Sequence, residues 1–480
     1  MSGPSRVPSP PSVRIVLFAL AALALYRVLG LLLHDPLLAL ANNYDQIRYT
    51  GCYDVGPLRP DVPAWHSNPQ APLRVYARQP IPEGNCYWTT DWLAGAAVAA
   101  AWRAAESLGD APEHSIRALG LLRLAGWLLA AAWVTRRLQR AGRDDLAITQ
   151  LAVLALIVAD PANTLYLSTF YAEAGALFGL YVALAGALVA AVAGGRSAWV
   201  VAAIGGFLLG GSKYQHFALP CLLALALASA GERRLRQAAL ALALGGLAGG
   251  ALQLQQAART TPLTEAIAST NRVNFVLTAL LPNVADPAAT VAALGLPAGC
   301  AALSGKSIYV LAEPVETLCP GLRELPALRA WTALAAEPAA WLRAAARAPP
   351  YMPWIPDYLG LVEGAQQQRL PDGYVTLDRW LDRRPLALLG LFGLPWLVLA
   401  GSWLLRAPPL ARAFAAVFAA GSAAVAGIAL LGDGYVELGK HAHLAFSLAL
   451  AAIAVPVGGA LARWHAAAAG RRAAGTGGEK

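Results

Sequence analysis

The chain of 480 residues is 57% hydrophobic and only 14% charged, whereas an ordinary soluble domain carries about 25% charged residues. That composition excludes a soluble globular fold. It describes a polytopic membrane protein with room for about ten spans, at about 20 apolar residues each, and one sizeable aqueous segment. The formal charge of +9 is no sign of nucleic acid, because Lys and Arg sit mostly in short links between apolar runs, where they report topology.

The first apolar run, Val13 to Leu33, follows a Pro- and Ser-rich start with Arg6 and Arg14, which places the N-terminus in the cytoplasm. A cleaved signal peptide is the rival reading, since Ala39-Leu40-Ala41 has the small-residue pattern of a cleavage site. The run is too long for a typical h-region and contains Arg27. Just beyond it comes Asn42-Asn43-Tyr44-Asp45-Gln46-Ile47-Arg48-Tyr49, where the hydrocarbon stops and a carboxylate can ionise yet still face a lipid-borne substrate. Asp45 is the candidate general base, work typically worth about 10² to 10⁴ in rate; the plainer alternative pairs it with Arg48. Residues 34–87 form a first external loop. The segment Trp88 to Leu108 is apolar but interrupted by Asp91, Arg103 and Glu106. We read it as an interfacial helix, because a crossing would put the Arg136 to Arg143 link outside.

The remaining spans fall at Ile116 to Val134, Leu146 to Val158, Ala172 to Ala193, Trp199 to Leu209, Phe217 to Ala230, Gln237 to Leu254, Pro385 to Leu405, Ala411 to Leu431 and His441 to Ala462. The basic links, Arg136 to Arg143, Arg196, Glu232 to Arg236, Arg406 to Arg412 and the tail from Arg463, then all face the cytoplasm. The links near Asp160, Lys213 and Asp433 face outward. Trp199 to Leu209 and Phe217 to Ala230 are short for crossings, and short helices at membrane depth tend to line a cavity; Ser212 to His216 between them is expected to line one. The chain divides into an N-terminal transmembrane module (1–254) with a catalytic first loop (34–87), an extracytoplasmic loop domain (255–384) with short helices in Pro326 to Arg347, C-terminal transmembrane helices (385–463) and a cytoplasmic tail (464–480). There is no internal repeat.

Of the five cysteines, Cys52 and Cys86 share the first external loop, Cys300 and Cys319 share the long one, and Cys221 is alone in a span. Two external pairs suit an oxidising periplasm. The local pairing, Cys52 with Cys86 and Cys300 with Cys319, is the expected one of the three available.

Beyond Asp45, Glu173 stands at the external start of the span Ala172 to Ala193. It either faces the positive end of the helix dipole or reaches across the mouth toward Asp45. Lys213, with Tyr214, Gln215 and His216, follows a Gly-Gly-Ser run and can neutralise the phosphate of a membrane-borne substrate; a snorkelling lysine is the bland alternative. Asp433, Glu437 and His441 recur at four-residue intervals and share a face if 432–443 is helical. Their spacing matches no strong zinc pattern. We therefore expect no cofactor and favour no metal, with Lys440 and His441 touching phosphate or sugar. His34, His66, His114 and His465 carry no pattern. Nucleotide loops, Cys-x-x-Cys and Gly-x-Ser-x-Gly are missing. All four polar constellations fall outside, where nucleotides are absent, which implies a donor already activated and delivered by lipid.

An acid just after the first span (Asp45), a Tyr-x-Glu opening a later one (Glu173), Lys213-Tyr214-Gln215 after a glycine-rich short helix, and Gly432-Asp433-Gly434-x-x-Glu437-x-x-Lys440-His441 resemble the integral membrane glycosyltransferases of the GT-C class. Asn-Asn-Tyr-Asp with Gly-Asp-Gly is similar to the bacterial WsfD-type glycan biosynthesis hexose transferases. The resemblance implies an all-α fold of many transmembrane helices in the bacterial inner membrane with its active site facing the periplasm. It also implies transfer of a hexose from a polyprenyl-phosphate donor to a glycan acceptor, Asp45 matching the first-loop catalytic acid. Arg48, Glu173, Lys213, His216, Asp433, Glu437, Lys440 and His441 are the expected donor-phosphate or substrate contacts. Unlike many GT-C enzymes, the chain has one acid rather than an adjacent pair after the first span, only Asp35 and Asp54 lying near, which favours a metal-independent mechanism. A transporter or flippase of a lipid-linked glycan is one rival; it would place ionisable groups at the midplane, where Arg27 and Arg123 are the chief charges. An O-antigen-ligase-like enzyme is the other, and it would depend on loop arginines such as Arg343 and Arg347.

Overall fold

The computed structural model describes residues 11–35, 37–38, 43–58, 74–79, 86–259, 261–355, 380–381 and 384–475, without the side chains of 43–45, 47, 385 and 465–475. The Asp45 side chain, the 39–41 pattern, His66 and the His465 side chain lie outside the described residues.

Helix α1 (Pro11–Leu32) is followed by the short α2 (Asn43–Thr50), then strands β1 (Val55–Pro57) and β2 (Val75–Arg78), α3 (Trp92–Ser107) and β3 (His114–Ser115). The three strands form one antiparallel sheet in the order β1-β2-β3, a feature that the Pro- and Tyr-rich loop composition does not announce. Tyr76 of β2, Trp102 of α3, Phe170, Tyr49 and Tyr53 make a small aromatic core beneath it. Helix α3 covers the Trp88 to Leu108 segment and is amphipathic, burying Gly95, Val98, Ala99 and Trp102. A disulfide joins Cys52 to Cys86.

Helix α4 (Arg117–Arg140) comes next and is long and apolar enough to cross a membrane. Helix α5 (Asp144–Val153) runs on as a π-helix, Leu154–Val158, and the chain then bends by 73° before α6 (Pro161–Thr164) and a 3-10 turn, Leu165–Ser168. The bend exposes backbone groups, and buried side chains satisfy them. Asp160 accepts from the Ala162 N–H at 3.0 Å, and Arg27 donates to Asp160 at 2.9 Å and to the Ala155 carbonyl at 2.7 Å. Arg123 donates to the carbonyls of Tyr166, Leu167 and Thr169 and pairs with Asp91.

Helix α7 (Ala172–Val192) is the most enclosed span, packed against α8 (Arg196–Gly210), which is followed by α9 (Leu219–Ala228) and α10 (Arg233–Ala258). Small residues permit this: a Cβ on Gly205 of α8 would lie 2.1 Å from the Ala183 nitrogen of α7, and one on Gly245 of α10 1.8 Å from the Ala203 carbonyl. Lipid offers no hydrophobic drive for helix pairing, so close backbone approach supplies the contact. The two ends of α7, about 30 Å apart at 1.5 Å per residue, differ in character. At one end Glu173 is paired with Lys213; at the other, Arg137 and Arg234 donate to the carbonyls of Gly194 and Val192 at 2.9 and 3.2 Å.

The stretch 261–355, within the expected loop domain, opens with α11 (Pro262–Asn274), whose start is set by a Thr261 capping box and Pro262. It passes directly into a π-helix, Phe275–Leu280. Four further helices follow, α12 (Pro287–Ala293), α13 (Val315–Leu318), α14 (Ala327–Ala335) and α15 (Pro338–Arg347), with Cys300 bonded to Cys319. The C-terminal part comprises α16 (Pro385–Leu404), α17 (Pro409–Asp433), α18 (Leu438–His441), α19 (His443–Ala451) and α20 (Ala454–Gly475).

Among the described residues, seven helices are long and apolar enough to cross a membrane, and eight if the bent pair 144–168 counts as one span. The other two of the ten expected spans coincide with shorter apolar helices, Arg196–Gly210 and Tyr214–Ala228. The architecture is that of an all-α polytopic protein with one small sheet.

The stretch 432–443 is not the single helix that its four-residue spacing suggested. Gly434 ends α17 at φ 62°, where a Cβ would meet Thr278 Oγ1 at 2.2 Å, and Glu437 also adopts a left-handed φ of 47°. The resulting turn docks the loop domain: Asn283 donates to the Tyr435 hydroxyl, which donates to the Ala344 carbonyl, both at 2.9 Å.

Candidate functional site

A buried amide ties helix α2 to the chain just before α7. Gln46, 1% exposed, accepts from the Phe170 N–H at 2.8 Å and from the Tyr76 hydroxyl at 3.1 Å. The Arg48 carbonyl accepts from the Tyr87 N–H at 2.6 Å, and the Tyr87 hydroxyl donates to Gln253 of α10 at 3.1 Å. Gln253 in turn donates to the Gly211 carbonyl at 2.7 Å, which also receives the Thr90 N–H at 3.0 Å. This chain of bonds, pinned by the Cys52–Cys86 bridge, sets Arg48 next to the loop that carries Lys213.

The outcome is a cavity of about 760 Å³ that Arg48, Lys213, Lys440 and His441 all line. Residues widely separated in sequence thus meet. Tyr49, Tyr87, Tyr171, Tyr214 and Trp331 supply aromatic surface. Burial pushes the Tyr87 phenol up to about 12, so it stays neutral.

The other expected contacts do not line the cavity; Glu173, Asp433 and Glu437 stand against residues that do, and His216 bonds within its own loop. Glu173, whose side chain is 0% exposed, pairs with Lys213. Burial draws the Lys213 ammonium below the ordinary lysine value, and the Glu173 carboxylate opposes that shift. Lys440 is itself buried; it donates to Glu437 at 2.6 Å and lies 4.9 Å from the centre of the Tyr171 ring. Asp433 accepts from Asn274 at 2.8 Å and stands 3.7 Å from His441 Nε2. His216 is buried with its Nδ1 3.0 Å from Ser212 Oγ. Of Ser212 to His216, therefore, Lys213, Tyr214 and Gln215 reach the cavity. A charge that must be kept in a low-dielectric wall needs a counter-charge behind it; the buried Glu173 and Asp433 and the partly exposed Glu437 meet that need.

Asp45 belongs to α2, one turn before Arg48 and Tyr49 in the helix register. No group of three His, Cys, Asp or Glu suited to a metal occurs among the described residues. Arg343 pairs with Glu337 and donates to the Asn283 carbonyl at 2.6 Å, and Arg347 donates to the Pro282 carbonyl. Both brace the loop domain and neither lines the cavity.

Two contributors went unread in the sequence. Gln46 was an unremarked letter in the first-loop stretch, although its buried amide ties α2 to α7. Helix α11 turns Thr264, Asn271 and Arg272 toward the cavity, and the i, i+7, i+8 spacing of those three residues was the available signal.

Residues 112–324 match the family model of the YfdI N-terminal transmembrane domain. The matched stretch carries Glu173, Lys213 and Arg272, while Arg48 precedes it and Lys440 and His441 follow it. Among curated proteins nothing matches the chain, and among solved structures nothing matches either. The chain is a multi-pass membrane protein whose central portion is similar to the YfdI N-terminal transmembrane domain.

Proposed function

We propose that this protein is a GT-C-type membrane glycosyltransferase, like the WsfD-type enzymes, that moves a hexose from a polyprenyl-phosphate donor to a surface glycan or lipid-linked acceptor at the periplasmic face of the bacterial inner membrane. The observation that carries this reading is the convergence of Arg48, Lys213, Lys440 and His441 on one aromatic-walled cavity at the acidic end of α7, opposite the arginine-rich links. Cations gathered on the side without nucleotides suit a lipid-borne phosphate.

In this mechanism Asp45 takes the proton of the acceptor hydroxyl while its oxygen attacks the anomeric carbon. The bond from that carbon to the phosphate oxygen breaks, and polyprenyl phosphate leaves with the electron pair. Lys213, Lys440 and Arg48 stabilise the charge that grows on the leaving phosphate, the kind of preorganised electrostatics that usually dominates catalysis. Glu173 and Glu437 position the two lysines. The partners are thus a polyprenyl-phosphate sugar, a glycan acceptor and the bilayer. The use of Arg27 and Arg123 in bracing the fold supports this reading over a transporter, and the bracing role of Arg343 and Arg347 supports it over a ligase dependent on those two arginines.

The test compares the surface glycan, by mass and sugar composition, between cells making the wild type and cells making Asp45→Asn at equal membrane abundance. Loss of one hexose per repeat is expected, with transfer slowed about 10² to 10⁴-fold. An unchanged glycan removes Asp45 from the mechanism.

A further inference from the structure

Helix α11 lies in the loop domain yet presents a stripe to the cavity. Thr264, Ile267, Ala268, Asn271, Arg272 and Phe275 line it, each three or four residues from another of the set, the spacing of one helix face. Arg272 on that stripe differs from its neighbours. Its Nε is buried without a hydrogen-bond partner, and among the described residues its guanidinium makes no hydrogen bond or ion pair.

The remaining arginines of 262–355 are all engaged. Arg323 pairs with Glu316, Arg329 donates to the Ala293 carbonyl, Arg343 pairs with Glu337 and Arg347 donates to the Pro282 carbonyl. The cavity lysines each have a carboxylate as well. Glu265 shares the stripe but stands seven residues before Arg272, about 10 Å along the axis, and forms no pair with it. Nor does Arg272 compensate a helix C-terminus, because the chain runs on into the π-helix Phe275–Leu280.

We propose that Arg272 is an anion-binding residue of the cavity and takes the phosphate group of a lipid-linked substrate. A guanidinium is always charged, and its planar fork matches phosphate oxygens two at a time. Phe275, Ile428 and Leu431 line the same cavity and offer apolar wall that a lipid chain would cover and inorganic phosphate would leave wet. The inference rests on the proposed function only in that the cavity accepts a phosphorylated lipid; it requires no sugar transfer.

Wild-type protein, Arg272→Gln and Arg272→Lys in detergent are titrated with undecaprenyl phosphate, undecaprenol and inorganic phosphate, with thermal unfolding as the control for folding. Arg272→Gln should weaken undecaprenyl phosphate binding about ten-fold or more and leave undecaprenol unchanged, with Arg272→Lys in between. Equal affinity of Arg272→Gln and wild type for undecaprenyl phosphate overturns the assignment, as does a parallel loss for undecaprenol. Inorganic phosphate binding as tightly as the lipid overturns the lipid part. A wild type that binds none of the probes sinks the reading of the cavity together with Arg272. A wild type that binds undecaprenyl phosphate through Arg272 yet transfers no sugar sinks only the proposed function.

Discussion

Lys213 and Glu173 show how single residues make this site. Lys213 follows Gly210 and Gly211, which end α8, in an extended conformation, and its amine turns back onto a carboxylate with no exposure to solvent. Removing one member of a buried pair leaves a stranded charge and costs about 3 to 5 kcal/mol, whereas replacing both with apolar groups can be neutral. Glu173→Gln or Lys213→Met alone should therefore lower the thermal unfolding temperature and membrane abundance. The double variant should recover abundance without recovering glycan modification. Recovery of both in the double variant would show that the pair serves the fold alone. At Gln46 the same logic applies to hydrogen bonds: Gln46→Leu strands the Phe170 N–H in the interior, at about 1 to 3 kcal/mol. Measured glycan transfer should drop along with stability, because α2 carries both Asp45 and Arg48.

At the scale of elements, α2 and the small sheet share only a small aromatic core, and a loop closure adds to their order. The Cys52–Cys86 bridge closes a separation of 34 residues, which in the loop-entropy model contributes about 3 to 4 kcal/mol. Replacing both cysteines with serine should shift unfolding by an amount of that order and weaken undecaprenyl phosphate binding, since Tyr87, which holds the Arg48 carbonyl, adjoins the bridge. Unaltered binding in that variant would mean that Gln46 and Gln253 suffice to place α2. Helix α11 was not among the helices expected in 255–384: its periodicity defines a face, and only the docking of 261–355 on the 434–441 turn decides what that face meets.

For the whole molecule, the two unlike ends of α7 define a polarity. Arg137 and Arg234 sit at the end away from Glu173, as the positive-inside rule requires if the cavity faces the periplasm. With Cys221→Ser as background, a cysteine at exposed Gly142 should react with a membrane-impermeant maleimide only after the cells are opened. One at exposed Lys306 should react in intact spheroplasts. The opposite pattern would invert the topology and take the cavity away from a periplasmic acceptor.

The membrane class, the apolar runs and four of the residues that gather in the cavity, Arg48, Lys213, Lys440 and His441, were legible in the sequence for a common reason. Crossing hydrocarbon imposes long apolar runs, and ionisable groups collect where those runs stop. Lys213, Lys440 and Arg48 could thus be picked from their positions at span ends. What lay beyond reach was the division of labour among them. Whether Glu173 meets a substrate or a lysine, whether 432–443 is one helix or a turn, and whether Arg272 faces the cavity or the solvent all depend on contacts between segments far apart in sequence. Spacing along one chain fixes faces and ends; only packing decides which faces meet, because burial and counter-charge are properties of pairs.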